Sequence, residues 1–280
     1  MTNRTETAPT HTVVTSSGPV AYRRFGPTGG TPVVFFQRFR GTMDHWDPAF
    51  VDVIAAEHDV ILFDNIGVGR SGGVSPDTFG GMASTAVDFL RALGIEQIDA
   101  VGWSIGGFVA QLVALDEPGF VRRLLVLGSG PGGQNGAPGP EPKSIEVMVK
   151  PENDDEDFLY LFFGQHEDGR RRGSESLRRL ESRLTPDAPQ VGPETIQAQL
   201  HAIGAWGEDE GSAWERLEEL DIPVLVANGA HDVMVHAEHS FKMAQRLADA
   251  TTVIYSDAGH GFLFQHPEEF GATALRFLAA

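Results

Sequence analysis

The chain holds no cysteine in its 280 residues. Disulfides, thiolate metal sites and cysteine nucleophiles are therefore excluded together, and redox chemistry gives no guide to compartment. Basic charge is scarce: 21 lysines and arginines stand against 39 acidic residues, for a formal net charge of −18. A field of that sign repels phosphate backbones and anionic bilayers, so neither nucleic acid nor a membrane surface is expected as a partner. The acidic excess itself reads as a solvated surface. Long apolar runs are missing too, since the longest, Ala100 to Ala114, is broken by Ser104 and three glycines and is too short to span a bilayer. The stretch from Met1 to Thr12 is polar and lacks the apolar segment of a secretion signal, which points to a cytoplasmic protein. No H-E-x-x-H, no ordered carboxylate loop, no G-x-G-x-x-G after a strand and no Walker loop occurs. No metal and no cofactor are expected.

What is present is length and rhythm. At 280 residues and 41% hydrophobic content, the chain can bury the core of one large α/β domain, with or without an insertion. Short β-branched runs alternate with stretches of helical spacing, the pattern of a mostly parallel sheet with helices on both faces. Candidate strands are Val13 to Ser16 and Val20 to Phe25, joined as a hairpin, then Pro32 to Phe36, His58 to Phe63, Ile98 to Trp103, Val121 to Leu127, Pro223 to Asn228 and Thr251 to Tyr255. That makes an eight-stranded sheet. Candidate layer helices are Pro48 to Glu57, Gly81 to Leu93, Ile105 to Asp116, Ala237 to Ala248 and Pro267 to Leu278.

The rhythm breaks between residues 129 and 220. This segment opens on the Gly/Pro-rich GSGPGGQNGAPGPEP and continues to a helical stretch with six arginines between Arg170 and Arg183. Some ninety residues without a convincing strand exceed any simple connection, so a helical cap or lid over a core of residues 1–128 and 221–280 is expected. Within it, Gly130 to Pro142 reads as a disordered linker. The cap and the last helix are candidate surfaces for a homodimer.

Gly102, Trp103, Ser104, Ile105 and Gly106 form G-x-S-x-G between an apolar strand and an apolar helix. A serine nucleophile needs its hydroxyl held clear of the backbone at a helix N-terminus, and two small neighbours make that tight turn possible. The Ile105 N–H and the helix dipole would then favour an anionic oxygen beside Ser104. At this point the chain resembles the α/β-hydrolase family, over nearly its whole length from Val13 onward. In that family an acid follows the strand after the cap and a histidine follows the last strand. Asp232 in PVLVANGAHD and His260 in YSDAGHGF occupy those places, 128 and 28 residues apart in the family's Ser, Asp, His order. The resemblance implies that His260 takes the proton of Ser104 and that Asp232 orients the imidazole. Asp257 is the nearest rival for the acid, while His231, His236, His239 and His266 read as surface histidines.

The resemblance also implies a second oxyanion donor after the first parallel strand, which here is the backbone N–H of Phe39. Where many members carry His-Gly, this sequence has Gln37 and Arg38. Arg38 and Arg40 are thus candidates to meet a polar or anionic substrate group, against the plainer expectation that they pair with Asp44 or Asp47. Trp103 and Phe262 are candidate substrate contacts, and Trp46 and Phe108 candidate pocket walls. FDNIGVGRSGG, from Phe63 to Gly73, resembles a family loop and is read as structural, with no chemistry for Asp64. A small-molecule substrate cleaved at an ester, lactone or similar acyl bond follows. Serine at the elbow argues against dehalogenases and epoxide hydrolases, which place aspartate there. Cofactor-free perhydrolase or haloperoxidase-like chemistry, C–C bond hydrolysis, and a ligand-sensing protein of slow turnover share these residues and stay open.

Overall fold

Runs such as Val33–Phe36 (VVFF) and Val60–Phe63 (VILF) have every residue buried, as strands must when helices cover both faces of a sheet. The computed structural model describes residues 4–280, so the first three residues of the polar N-terminal stretch lie outside it. A short helix α1 (Arg4–Thr7) leads into the hairpin β1 (His11–Thr15) and β2 (Gly18–Phe25). There follow β3 (Val33–Phe36), a 3-10 turn (Met43–His45), α2 (Pro48–Ala55), β4 (Val60–Phe63), α3 (Phe79–Ala92), β5 (Ile98–Trp103), α4 (Ile105–Asp116) and β6 (Val121–Leu127). Four helices come next, α5 (Pro142–Met148), α6 (Asp155–Phe162), α7 (Glu167–Leu180) and α8 (Pro193–Gly207). A second 3-10 segment (Trp214–Glu219) leads to β7 (Val224–Gly229), α9 (Glu238–Arg246), β8 (Ala250–Tyr255), α10 (Phe262–Gln265) and α11 (Pro267–Ala279).

The strands form one eight-stranded sheet in the order β1-β2-β4-β3-β5-β6-β7-β8. β1 pairs antiparallel with β2 and β2 antiparallel with β4, while β3 through β8 run parallel to one another. Each face carries its own apolar core. Phe89, Leu112 and Trp206 belong to one, and Phe50, Phe262 and Phe270 to the other.

Element ends differ from expectation by a few residues, for local reasons. α3 starts at Phe79, ahead of Gly81, because the Thr78 hydroxyl accepts the Gly81 N–H and caps the helix. Residues 130–142, expected as a disordered linker, are an anchored loop. The Gln111 side chain holds the Gly130 carbonyl at 3.0 Å, the Gly133 N–H donates to Trp206 O, and the Glu141 N–H to Val233 O, each at 2.9 Å. The arginine-rich stretch is α7, where Arg170, Arg171 and Arg172 make exposed ion pairs with acidic residues of α6 and α7. Arg179 instead reaches the fully buried Asp47, at 2.7 and 2.8 Å, and ties α7 to the start of α2. Among the described residues no helix is long and apolar enough to cross a membrane.

Candidate active site

The turn from β5 to α4 decides where Ser104 stands. Its backbone takes φ 58°, ψ −127°, a conformation that side chains rarely adopt, and such strain persists only where the surroundings impose it. They do so here through close approach. A Cβ on Gly106 would lie 2.0 Å from the Phe36 carbonyl, and one on Gly102 would lie 2.4 Å from the Gly106 carbonyl. β5, α4 and the end of β3 can therefore meet only if both positions lack a side chain.

β7 and β8, the second and third strands along from β5, run parallel to it and end at the same edge of the sheet. Asp232, just past β7, accepts the N–H groups of Met234 and Val235 through one oxygen, at 2.8 and 2.9 Å. Its other oxygen lies 2.7 Å from His260 Nδ1. Both side chains are sealed from solvent. His260 Nε2 is buried without a hydrogen-bond partner among the described residues, and a buried polar atom left so costs about 1–3 kcal/mol. Asp257, the rival acid, faces away to His266 Nε2 at 3.0 Å.

The loop after β3 is tied by its own side chains. Gln37 accepts the Arg38 N–H at 2.8 Å and donates to the Thr42 carbonyl at 3.0 Å. The Phe39 N–H has no acceptor among the described residues, and Ile105, as first residue of α4, has no preceding turn to receive its N–H. Behind the loop, Asp64 accepts the Met43 and Arg70 N–H groups at 2.6 and 2.9 Å, and burial pushes its carboxyl up to about 6. It braces this loop and does not line the cavity beside Ser104.

That cavity measures about 390 Å³. Ser104, Phe39 and Ile105 line it together with Phe108, Met148, Ile203, Trp206 and Met234, and the anchored glycine loop 130–139 forms one wall. Four sequence expectations for substrate contacts are corrected. The Arg38 guanidinium is buried over the rings of Phe158, Phe162 and Trp103 at 5.1 to 5.8 Å, and donates to the Phe39 carbonyl at 2.7 Å. Burial, with help from Arg40, lowers its pKa to about 9. Arg40, at φ 54°, spends its guanidinium on the carbonyls of Lys150 and Pro151, at 2.7 and 2.8 Å. Neither pairs with Asp44 or Asp47, which are taken by Arg23, Arg70 and Arg179. Trp103 and Phe262 lie fully packed in the core on one side of the sheet, Trp103 because successive strand residues face opposite sides and Phe262 because α10 packs it against Tyr255 and Phe270. Trp46 is there as well. Conversely His239, read as a surface residue, lines the cavity with its ring between Asn135 and the Pro138 carbonyl. Burial lowers its pKa. Trp206 and His239 were not legible because their partners arrive from loops distant in sequence.

Geometry and likeness agree. A model of the alpha/beta hydrolase fold matches residues 31–267. The chain belongs to that family. It is an esterase-like hydrolase of this fold. An alpha/beta hydrolase fold protein from Chitinophaga pinensis superposes with a TM-score of 0.89 at 34% identity, over 98% of each chain. The chain is 29% identical to a non-heme chloroperoxidase of Streptomyces lividans, over 95% of this chain and 99% of that one. It is 28% identical to a putative carbamate hydrolase of a Caulobacter species, over 85% and 87% respectively.

Proposed function

We propose that this hydrolase cleaves a small, largely apolar ester or lactone through an acyl-enzyme on Ser104. The observation that carries the reading is the buried Asp232–His260 contact of 2.7 Å with the far ring nitrogen left unpaired, beside a serine on a strained elbow. Asp232 fixes the tautomer with the proton on Nδ1, so Nε2 is free to accept the Ser104 proton as Oγ attacks the carbonyl carbon. The carbonyl oxygen becomes an oxyanion, received by the N–H groups of Phe39 and Ile105. His260 then passes its proton to the departing alcohol, and water repeats the sequence to release the acid. A cavity of about 390 Å³ with Phe, Ile, Met and Trp walls suits a small acyl compound. Its lining includes no Arg or Lys, so neutral substrates are favoured over carboxylated ones. Residues 129–220 serve as the cap of this cavity, contributing the glycine loop, Met148 and Trp206.

A second reading has one observation behind it, the likeness to the chloroperoxidase over 95% of this chain. Hydrogen peroxide in place of water would attack the same acyl-enzyme and release a peracid. The test is labelling of the native chain by a fluorophosphonate, alongside turnover of short p-nitrophenyl esters with and without peroxide. Ser104→Ala should abolish labelling, and Asp232→Asn should lower kcat by about 10³ to 10⁴-fold. No labelling of the folded native chain would refute the acyl-enzyme and favour a ligand-sensing role.

A further inference from the structure

A second cavity, of about 380 Å³, lies against α8 and α3. It nearly equals the active-site cavity in volume, and Trp206 is the one residue that lines both. Phe79, Leu112, Ala202 and Ala205 give the second cavity an apolar side, and Thr78, Asp116, His201, Glu210 and Arg216 line the rest. The indole is the partition. It stacks on Phe108 with centroids 5.0 Å apart and 19° between planes, and meets Phe79 edge-on at 5.5 Å. On the opposite side it presses on Gly132, where a Cβ would fall 2.6 Å from the indole nitrogen.

Among the described residues the indole ring has no polar anchor of its own, although the Trp206 carbonyl accepts the Gly133 N–H at 2.9 Å. The indole N–H is buried without a hydrogen-bond partner among the described residues, although buried Trp N–H groups usually find one. The ring is fixed by packing alone, on a residue that sits at the last turn of α8.

We infer that Trp206 sets the length limit for the acyl chain, closing the active-site cavity against a second chamber whose apolar side would otherwise receive the distal end of a longer substrate. This rests on the acyl-enzyme reading for Ser104 and adds to it the class of substrate, acyl chains short enough to end at the indole. Each methylene that finds apolar wall should raise acylation by about fourfold, and the rise should stop where the chain meets Trp206.

The test is kcat/KM for p-nitrophenyl esters from acetate to dodecanoate, with native protein, Trp206→Ala and Trp206→Phe. Binding of the matching free fatty acids is measured in parallel. Native activity should peak at a short chain. Trp206→Ala should move the peak to longer chains, with the ratio of decanoate to acetate kcat/KM rising about tenfold or more. Trp206→Phe should fall between. Ala205→Phe, added to Trp206→Ala, refills the second chamber and should return the profile toward native, which separates a new chamber from a merely loosened fold. An unmoved peak in Trp206→Ala would overturn the partition, as would a shift that Ala205→Phe fails to reverse. If the native chain hydrolyses no ester but Trp206→Ala still moves the preferred fatty-acid length, the partition stands and the acyl-enzyme reading falls.

Discussion

Trp103 donates its indole N–H to the main-chain carbonyl of His260 at 3.0 Å, and the two rings lie 5.5 Å apart at 36°. Trp103, the residue just before Ser104, is therefore a strut under His260. Trp103→Phe keeps an aromatic ring but removes the donor and part of the buried indole, leaving a carbonyl unpaired and a gap in the core, at a cost of about 2–4 kcal/mol in stability. We expect kcat to fall about tenfold with KM nearly unchanged, since the loss concerns the aim of His260 and not substrate contact. Urea titration and steady-state kinetics check both. A stability loss with native kcat would show that the strut supports the fold alone.

His45 gives an acid-side signature. Burial, reinforced by the nearby Arg38 charge, lowers its pKa to about 3, while Nδ1 accepts the Thr42 N–H at 3.0 Å. The unfolded chain takes up a proton near pH 6.5 that the folded one refuses until about pH 3. This contribution to stability is complete above pH 6.5 and drains away as pH falls toward 3. His45→Asn keeps an acceptor and removes the titration. From pH 7 to pH 5 the variant should lose less stability than the native chain, by about 1–2 kcal/mol. Asp64, with its carboxyl raised to about 6, acts in the opposite sense in both proteins and cancels in the comparison. Equal losses for the two chains would remove His45 from the account.

Arg40 links the loop after β3 to the segment between α5 and α6, by contacts of 2.7 and 2.8 Å to two carbonyls. Its left-handed backbone makes Arg40→Gly a useful partner to Arg40→Ala. Both should loosen that segment and raise KM about threefold to tenfold, while glycine restores about 1 kcal/mol of stability relative to alanine because it accepts φ 54° freely. Matched stability in the two variants would show that the backbone at residue 40 stores no strain.

The sheet, its strand count and the positions of Ser104, Asp232 and His260 at strand ends were legible in sequence, because parallel strands are written in short-range apolar runs and the elbow needs its glycines within two residues. The walls of the cavity were not. Trp103 sits beside Ser104 in sequence yet faces the opposite side of the sheet, which adjacency alone cannot reveal. Phe108 was named for the wall, whereas Trp206 and His239 reach it from α8 and α9. Their closeness to Ser104 depends on how the glycine loop 130–139 folds back, a matter of long-range hydrogen bonds such as Glu141 to Val233. Arg38 misled because a charge reads as a ligand for an opposite charge, while here three aromatic faces take that role.

β8 is one of the sheet's two edge strands and pairs only with β7, and His260 comes after it. During synthesis the serine elbow, its supporting helix and even the aspartate leave the ribosome before the base exists. On the proposed acyl-enzyme reading, a nascent chain would fold most of its sheet while chemically inert, and would become reactive only when the segment after β8 docks and brings His260 to Asp232.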